Sequence, residues 1–374
     1  MMTGIYIHFP FCVKKCNYCD FYSITGLSLV EEYIGAMGNQ TAGFPSSEVD
    51  SIYIGGGTPS LLEGKQAKAI VDMLKKRFSV KKESEITIEV NPAGCSSDRL
   101  REFRDAGINR LSVGIQSMSD KTLKTLGRTH TGSDALKTLQ DAKNAGFFNI
   151  SADIMLGLPD ESEDDIKKTV EPLIERGVTH ISAYILKLAE GTPMGDTVPD
   201  GIPDEDGIAD IYMYASGLLE SNGYMQYEIS NFAQDTYESR HNMKYWNCEN
   251  YIGMGAGAYS SLDSNRYHFP PDIYEYIRCF KNPSTIFNKG FVYDGEVTWD
   301  EYFMLRLRTK QGISFEELKK RFYIEPYSRM EHLLIEFEKK GYTKLIGNTV
   351  KLTRKGMLLS NSVISSLLVE AEKI

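Results

Sequence analysis

Three cysteines near the N-terminus are the side chains of this 374-residue sequence most suited to chemistry. Cys12, Cys16 and Cys19 follow the spacing C-x3-C-x2-C, so that one short loop could wrap a metal centre. Structural zinc sites usually take four protein ligands, and iron–sulfur clusters are normally held by four thiolates. This loop offers only three thiolates, so a four-iron cluster bound to it would keep one iron open for an external ligand. The alternatives are a zinc site completed by a remote residue, or a disulfide that leaves one cysteine unpaired.

A run of glycines and four polar side chains mark the ends of predicted strands. Gly55-Gly56-Gly57-Thr58 follows a short strand, where glycines let the backbone approach a ligand closely, although an ordinary tight turn explains them equally well. The polar side chains lie at or beyond strand ends in consecutive units and are Glu89, Gln116, Arg128 and Asp153. One such residue is as often structural as functional. Four in succession predict a shared pocket, because the ends of parallel strands converge.

Alternating strand and helix patterns predict the scaffold that positions these residues. Six strands are expected, at Ile5–Phe9, Ser51–Ile54, Ile86–Val90, Arg110–Ile115, Asn149–Met155 and His180–Leu186. The intervening helices are expected at 28–42, at 64–78, from near Ser97, and after the capping residues Ser133 and Ser162. The alternation implies parallel strands with right-handed crossovers and a site at their carboxyl ends. An open doubly wound sheet and a barrel both satisfy this pattern.

The cysteine loop and its flanks resemble a known family. C-x3-C-x2-C with an aromatic residue before the third cysteine is similar to the cluster loop of radical S-adenosylmethionine (SAM) enzymes. The wider string, Tyr6-Ile-His-Phe-Pro-Phe followed by Cys-Asn-Tyr-Cys-Asp-Phe, resembles the branch that contains the oxygen-independent coproporphyrinogen III oxidases and the HemW-type heme chaperones. The resemblance implies an α/β fold with a partial (β/α)6 barrel. It also implies a [4Fe–4S] cluster on Cys12, Cys16 and Cys19, whose open iron chelates SAM.

The same resemblance assigns the contacts to SAM. The glycine run matches the family's motif that contacts the methionine moiety. Asp153 and Gln116 offer acceptors for ribose hydroxyls, and Arg128 offers a cation for the methionine carboxylate. Glu89 could accept from the amino group or from a ribose hydroxyl. The positions that match SAM-contacting positions of the family are Tyr6, Gly56, Gly57, Thr58, Glu89, Gln116, Arg128 and Asp153.

Departures from the oxidase pattern favour the chaperones. The oxidases carry a further cysteine two residues after the third, where this chain has Phe21, and an N-terminal extension, where five residues precede Tyr6. The segment from His241 to Trp246 resembles the H-N-x-x-Y-W signature of the chaperones, whose histidine is implicated in heme binding. An imidazole can serve as an axial heme ligand, and a structural histidine is the alternative.

The resemblance therefore predicts a radical SAM-fold heme chaperone that binds a [4Fe–4S] cluster, SAM and heme. Coproporphyrinogen III oxidase is the alternative, and a radical SAM enzyme with another substrate is a third hypothesis. The expected partners are heme or a porphyrinogen, a heme-acceptor protein and an electron donor for the cluster. Nucleic acid is not expected, because the net charge is −9. No apolar run reaches the length of a membrane span, and no targeting signal is evident, which predicts a cytoplasmic location. Peripheral membrane contact stays open.

The chain is expected to form three segments. Residues 1–190 would hold the cluster and SAM, residues 191–290 would form an extension with the H-N-x-x-Y-W motif, and residues 291–374 would form a smaller domain. The section 224–267 is predicted to be irregular. The last segment shows helix patterns at 298–308, 314–322 and 327–340, then a hairpin and a helix to about 368, which is typical of a winged helix. Its expected role is docking or covering a site, since the acidic balance disfavours DNA binding.

Overall fold

The first half of the chain alternates strands and helices as the sequence predicts. The computed structural model describes residues 2–282 and 290–372. The elements of this half are β1 (Thr3–Phe9), β2 (Phe11–Cys12), β3 (Ile24–Thr25), α1 (Val30–Thr41), β4 (Glu48–Gly56), a 3-10 turn (Pro59–Leu61), α2 (Gly64–Arg77), β5 (Ser79–Val90), α3 (Ser97–Asp105), β6 (Arg110–Gln116), α4 (Asp120–Thr125), α5 (Gly132–Asn144), β7 (Asn149–Leu156), α6 (Glu163–Glu175) and β8 (His180–Ile185).

The six predicted strands form one parallel sheet. β1, β4, β5, β6, β7 and β8 lie side by side in chain order, and each neighbouring pair is parallel. Every new strand is added on the same side as the one before it. A doubly wound sheet would instead reverse direction at a switch point. The order therefore identifies the partial barrel and confirms the predicted α/β class.

Alternation along the strands divides apolar from polar residues. Ile5, Ile7 and Phe9 of β1 have no exposed surface and belong to the large core between the sheet and its helices. Burying one such side chain contributes about 1.5–3 kcal/mol. The intervening residues, Tyr6 and His8, point to the inner face. The inner positions of the six strands are mostly polar and include Tyr53, Glu85, Glu89, Arg110, Ser112, Ser151, Asp153, His180 and Ser182.

The middle of the chain extends this sheet on both sides. Its elements are α7 (Pro193–Asp196), α8 (Glu205–Ser221), β9 (Met225–Gln226), β10 (Asn231–Ala233), α9 (Arg240–Trp246), β11 (Tyr251–Met254), β12 (Tyr259–Leu262), β13 (Asn265–His268), α10 (Ile273–Cys279) and β14 (Val292–Glu296). β11 pairs in parallel with β1, and β12, β13 and β14 continue from it as antiparallel strands. β10 and β9 add antiparallel strands beyond β8. The prediction that 224–267 is irregular is therefore wrong, because short strands cross this section.

The C-terminal part builds a second hydrophobic core. Its elements are α11 (Trp299–Leu307), β15 (Ile313–Ser314), α12 (Phe315–Phe322), α13 (Tyr327–Lys339), β16 (Thr343–Ile346), β17 (Thr349–Leu352), α14 (Arg354–Leu358) and α15 (Ser360–Glu372). β16 and β17 form the predicted hairpin, and β15 pairs with β17 as a third strand. The last helix is divided in two at Leu359. Among the helices that the structure describes, none has both the length and the apolar character to cross a membrane.

The C-terminal part is joined to the barrel through the residues that follow α9. The guanidinium of Arg306 bonds to the side-chain oxygen of Asn247. Arg321 donates to the backbone oxygens of Asn247 and Cys248, at 3.4 and 3.1 Å. The helix α9 thus lies between the barrel interior and the C-terminal core.

Candidate functional site

A cavity of about 560 Å³ opens at the carboxyl ends of the barrel strands. It is lined by ten of the twelve residues that the sequence nominates, which are Cys12, Cys16, Cys19, Gly56, Gly57, Thr58, Glu89, Gln116, Arg128 and Asp153. They come from the cysteine loop, from the end of β4 and the residues after it, from β5, β6 and β7, and from the loop between α4 and α5 that carries Arg128. The convergence expected of parallel strand ends is therefore observed. Tyr6 and His241 do not line this cavity.

The three cysteines are free thiols at one side of the cavity. Thr58 Oγ1 donates to Cys12 Sγ at 3.4 Å, and Arg128 Nη1 lies 3.7 Å from Cys16 Sγ. The thiolate is the form of cysteine that binds metal. Within the described ranges, no three Cys, His, Asp or Glu side chains are close enough to share a single ion. A structural zinc ion usually takes four protein ligands, so three thiols in one loop fit a four-iron cluster with one open iron better than they fit zinc.

The glycine run lies against the cysteine loop with its N–H groups already in use. Gly56 N–H donates to Glu89 Oε2, Gly57 N–H to Phe9 O, and Thr58 N–H to Phe11 O. A Cβ on Gly57 would lie 2.7 Å from Phe11 O, so glycine is required for this close approach. The N–H donors of Gly56, Gly57 and Thr58 are therefore engaged within the protein.

Glu89 is a carboxylate held deep in the cavity. Tyr53 Oη donates to it at 3.0 Å and Gly56 N–H at 3.1 Å. Burial, and secondarily the nearby charge of Asp153, raise the pKa of Glu89 to about 7. Without a cationic ligand, this carboxylate therefore carries an electrostatic penalty at neutral pH.

Asp153 is fixed by three serines of the neighbouring strands. Ser112, Ser182 and Ser151 donate to its carboxylate at 2.9, 2.8 and 3.2 Å. Burial raises the pKa of Asp153, and the hydrogen bonds from Ser182 and Ser112 oppose that rise. The carboxylate is thus held in one orientation, as a ligand group requires.

Arg128 presents a donor that the protein leaves unused. Its Nη2 donates to Asn91 Oδ1 at 3.1 Å and to Gly114 O at 2.8 Å. Its Nε is buried and has no hydrogen-bond partner among residues 2–282 and 290–372. Buried donors are normally satisfied, so an anionic ligand group such as a carboxylate fits this position.

Gln116 has an unusual backbone conformation. Its φ is 67°, in the left-handed region that a residue other than glycine seldom adopts, and it follows a break in the pairing of β6 with β7. Such strain costs of order 1–3 kcal/mol and is concentrated at functional sites. The bulge directs Gln116 into the cavity instead of along the sheet.

Tyr6 lies inside the barrel, beneath the cavity. Its hydroxyl is 3.0 Å from His8 Nδ1, and His8 Nε2 is 2.9 Å from the carbonyl of Tyr22. Since that carbonyl can only accept, Nε2 carries the proton and Tyr6 O–H donates to Nδ1. Tyr6 therefore braces the residues that follow the cysteine loop.

His241 is buried at the amino-terminal end of the barrel, with no exposed surface. Its Nδ1 is 3.1 Å from Ser51 Oγ and its Nε2 is 2.8 Å from Tyr245 Oη. Burial, and then the charges of Lys244 and Arg110, lower the pKa of His241 to about 3. The imidazole is therefore neutral at physiological pH, and both of its nitrogens are engaged.

Sequence reasoning missed several residues that complete the site. Tyr53, Asn91, Ser112 and Ser182 hold the nominated groups in place. Three of the four occupy inner positions of barrel strands, so the period of two along each strand could have found them. Lys14, Lys15 and Lys187 also line the cavity.

Two family models match separate parts of the chain. A model of the Radical SAM superfamily matches residues 6–173. A model of the HemN C-terminal domain matches residues 293–359. The first match spans all ten cavity residues named above.

Comparison with individual proteins covers nearly the whole chain. The heme chaperone HemW of Lactococcus lactis is 31% identical over 373 residues, which make up 98% of each chain. The heme chaperone HemW of Bacillus subtilis is 34% identical over 390 residues, covering 99% of this chain and 100% of its own. The solved structure of coproporphyrinogen III oxidase from Escherichia coli, a radical SAM enzyme, matches with a TM-score of 0.83 over 98% of this chain and 90% of its own. At 19% identity, that likeness concerns the fold.

Proposed function

The chain belongs to the radical SAM superfamily and, within it, to the family of HemW heme chaperones, and from this premise we propose that it binds a [4Fe–4S] cluster, SAM and heme and passes heme to an acceptor protein. The family predicted from the cysteine loop is confirmed, and the chaperone hypothesis is favoured over the oxidase. Relatives that are named chaperones match at 31–34% identity over almost their full length. The match to the oxidase, at 19%, is one of fold.

The observation that carries the cofactor proposal is the gathering of ten nominated residues around one cavity. When bound there, the cluster and SAM supply one-electron cleavage chemistry. In this proposal Cys12, Cys16 and Cys19 hold the cluster. The unused Nε of Arg128 takes the methionine carboxylate, and Glu89 takes the amino group. A cationic ligand beside Glu89 would remove the penalty that raises its pKa.

The ribose of SAM would lie towards Asp153 and Gln116. Both residues line the cavity on neighbouring strands, where an acceptor oxygen can meet a hydroxyl. Tyr6 would act indirectly, by bracing His8 and the backbone of Tyr22 beneath the bound ligand. The remaining nominated residues, Gly56, Gly57 and Thr58, would contribute the backbone that meets the methionine moiety.

Phe21 supports the chaperone over the oxidase. The oxidases place a further cysteine at this position, whereas the Phe21 ring is 65% exposed and offers no ligand atom. The relation to named heme chaperones is what supports heme as the cargo.

His241 is the heme ligand that the sequence suggests. To reach an iron, its ring would have to leave Ser51 and Tyr245, and α9 would have to move out from beneath the barrel. Ligation by His241 thus belongs to a different arrangement of α9 from the one seen here.

An electron donor for the cluster and a heme-acceptor protein are the proposed partners, in a reducing, cytoplasmic compartment. The free thiols of Cys12, Cys16 and Cys19 support the reducing environment. A reduced setting is also what a thiolate-bound cluster requires.

The test is anaerobic reconstitution followed by heme titration. We expect about four irons per chain, a cluster EPR signal that changes on adding SAM, and saturable heme binding. Cys12→Ser should lose the cluster iron and the SAM response. The matched control is Cys95→Ser, which removes a thiol outside the cysteine loop and should keep both. Full iron retention in Cys12→Ser would contradict the cluster assignment, and absence of saturable heme binding would contradict the chaperone role.

A further inference from the structure

A second histidine is oriented in the way that proteins orient metal ligands. His268, the last residue of β13, places its Nδ1 2.9 and 2.7 Å from the two carboxylate oxygens of Asp294. Since an ionised carboxylate can only accept, Nδ1 carries the proton and the lone pair lies on Nε2. In the part of the chain that the structure describes, Nε2 has no hydrogen-bond partner. A carboxylate on one ring nitrogen fixes the tautomer and the orientation of the ring.

One aromatic and one apolar side chain lie next to His268 on the sheet. The ring of Tyr259 stacks on His268, with centroids 4.9 Å apart and planes 27° apart. Tyr259 pairs with His268 across β12 and β13, and Val292 pairs with it from β14, so the three side chains share one face. Tyr259 is 53% exposed and Val292 is 43% exposed. A flat aromatic macrocycle can pack on such a surface.

This face continues the inner face of the barrel. Ser261 of β12 pairs with Tyr251 of β11, and Tyr251 pairs with Gly4, which faces the barrel interior. Tyr259 lies two residues before Ser261 and therefore faces the same side. The strand ends that carry Tyr259 and His268 follow the carboxyl end of β11, at the edge of the sheet where the cysteine loop leaves β1.

His241 and His268 differ in the state of their nitrogens. Both nitrogens of His241 are engaged inside the barrel, and its side chain is fully buried. His268 uses only Nδ1 among the described residues, and 20% of its side chain is exposed. His332 also approaches a carboxylate, at 3.7 Å from Glu370, but it lies on α13, far along the chain from the aromatic face.

We propose that His268 Nε2 is an axial ligand of heme iron, that Asp294 orients the imidazole, and that Tyr259 and Val292 pack against the macrocycle. This inference rests on the proposed function, because it assigns the heme-binding position of the same protein. It gives the strand extension β12–β14 a role in heme binding.

The experiment titrates ferric heme into the reconstituted full chain and into variants. His268→Gln is the informative variant, because its amide N–H can still donate to Asp294 while no nitrogen is left to bind iron. We expect heme affinity to fall at least about tenfold and the low-spin histidine signature in the absorbance spectrum to disappear. Asp294→Asn should weaken affinity by roughly tenfold and keep histidine ligation. His332→Ala is the matched control and should bind heme like the parent.

The possible outcomes separate this inference from the proposed function. If the parent binds heme and His268→Gln binds it with the same affinity and spectrum, the assignment to His268 is overturned while the chaperone role stands. Loss of ligation in His241→Ala, with His268→Gln unchanged, would move the ligand to α9. If the parent itself binds no heme, both proposals fall. Loss of the histidine signature in His268→Gln, with His332→Ala and the cluster iron unchanged, is the supporting result.

Discussion

Single residues of the cavity are held ready for a ligand at a cost to the unliganded protein. Glu89 and Asp153 are carboxylates inside the barrel, Arg128 has a buried donor without a partner, and Gln116 has a strained backbone. Each of these features is unfavourable in isolation and becomes favourable when a zwitterionic ligand with hydroxyl groups is bound. The sequence could nominate these residues from their positions at strand ends. It could not find the supporting Asn91, because that residue lies just beyond the end of β5 and its contact joins it to Arg128, 37 positions away.

Glu89→Gln should stabilise the unliganded protein in a pH-dependent way. The pKa of Glu89 is raised to about 7 in the folded state from an ordinary value of 4.5, so the folded state binds more protons than the unfolded state between these values. Stability from this group is therefore lost as pH rises from 4.5 to 7, by up to roughly 3 kcal/mol. In urea unfolding without SAM, the variant should exceed the parent by roughly 1–3 kcal/mol at pH 8 and by little at pH 4.5.

The same variant should lose affinity for SAM, since the amide cannot balance an amino group. Glu32→Gln, on the exposed face of α1, is the control and should change neither property. A Glu89→Gln protein that is less stable than the parent at both pH values would show that the carboxylate stabilises the barrel instead of serving a ligand.

At the scale of elements, local sequence patterns predicted the long strands and the helices between them, but they did not predict the short strands. Ser162 caps α6 as expected, with Asp165 completing the capping box. The preceding helix, α5, begins two residues earlier than predicted, because Thr131 caps it in place of Ser133 and forms the capping box with Asp134. β9 to β13 contain two to four residues each, too few for a period of two to be recognised. These strands are held in place by pairing with β1 and β8. Both partners are distant in sequence, so a local pattern cannot predict the pairing.

Alanine substitutions at two glycines, one against the cysteine loop and one on an open helix face, are expected to change stability in opposite directions. Gly57→Ala would put a Cβ 2.7 Å from Phe11 O and push the cysteine loop aside. We expect a loss of roughly 1–3 kcal/mol in the free energy of unfolding and a lower iron content after reconstitution. Gly35→Ala, inside α1 with no atom within 4 Å of the new Cβ, should instead gain roughly 0.5–1 kcal/mol. Equal effects at both positions, measured by urea unfolding and iron analysis, would contradict this account.

At the scale of the whole molecule, α9 connects the barrel interior to the C-terminal core. His241 lies 5.5 Å from Tyr53 between ring centroids, and Tyr53 donates to Glu89 in the cavity. On its other side, the residues that follow α9 accept hydrogen bonds from Arg321 of α12. The H-N-x-x-Y-W motif is therefore built into the junction. Its place could not be predicted from sequence, because the contacts join residues more than 70 positions apart.

Removing Arg321 should loosen α9 before it loosens the barrel. The guanidinium donates to Cys248 O at 3.1 Å and stacks 4.5 Å from the centre of the Tyr302 ring. In Arg321→Ala we expect amide hydrogen exchange in α9 to rise by about tenfold, while exchange in β5 and β6 stays unchanged. Arg101→Ala, which removes an exposed ion pair with Asp98, is the control. A uniform rise across the barrel would show that the junction is not a separate unit.

The most direct test of the heme-chaperone function compares two ligands on the same reconstituted protein. Under anaerobic conditions with SAM and reductant, the protein is given either coproporphyrinogen III or heme, and the products and bound heme are quantified. We predict about one heme bound per chain and no protoporphyrinogen IX, as expected of a heme carrier on a radical SAM scaffold. Formation of protoporphyrinogen IX with turnover would contradict this account and identify an oxidase despite Phe21.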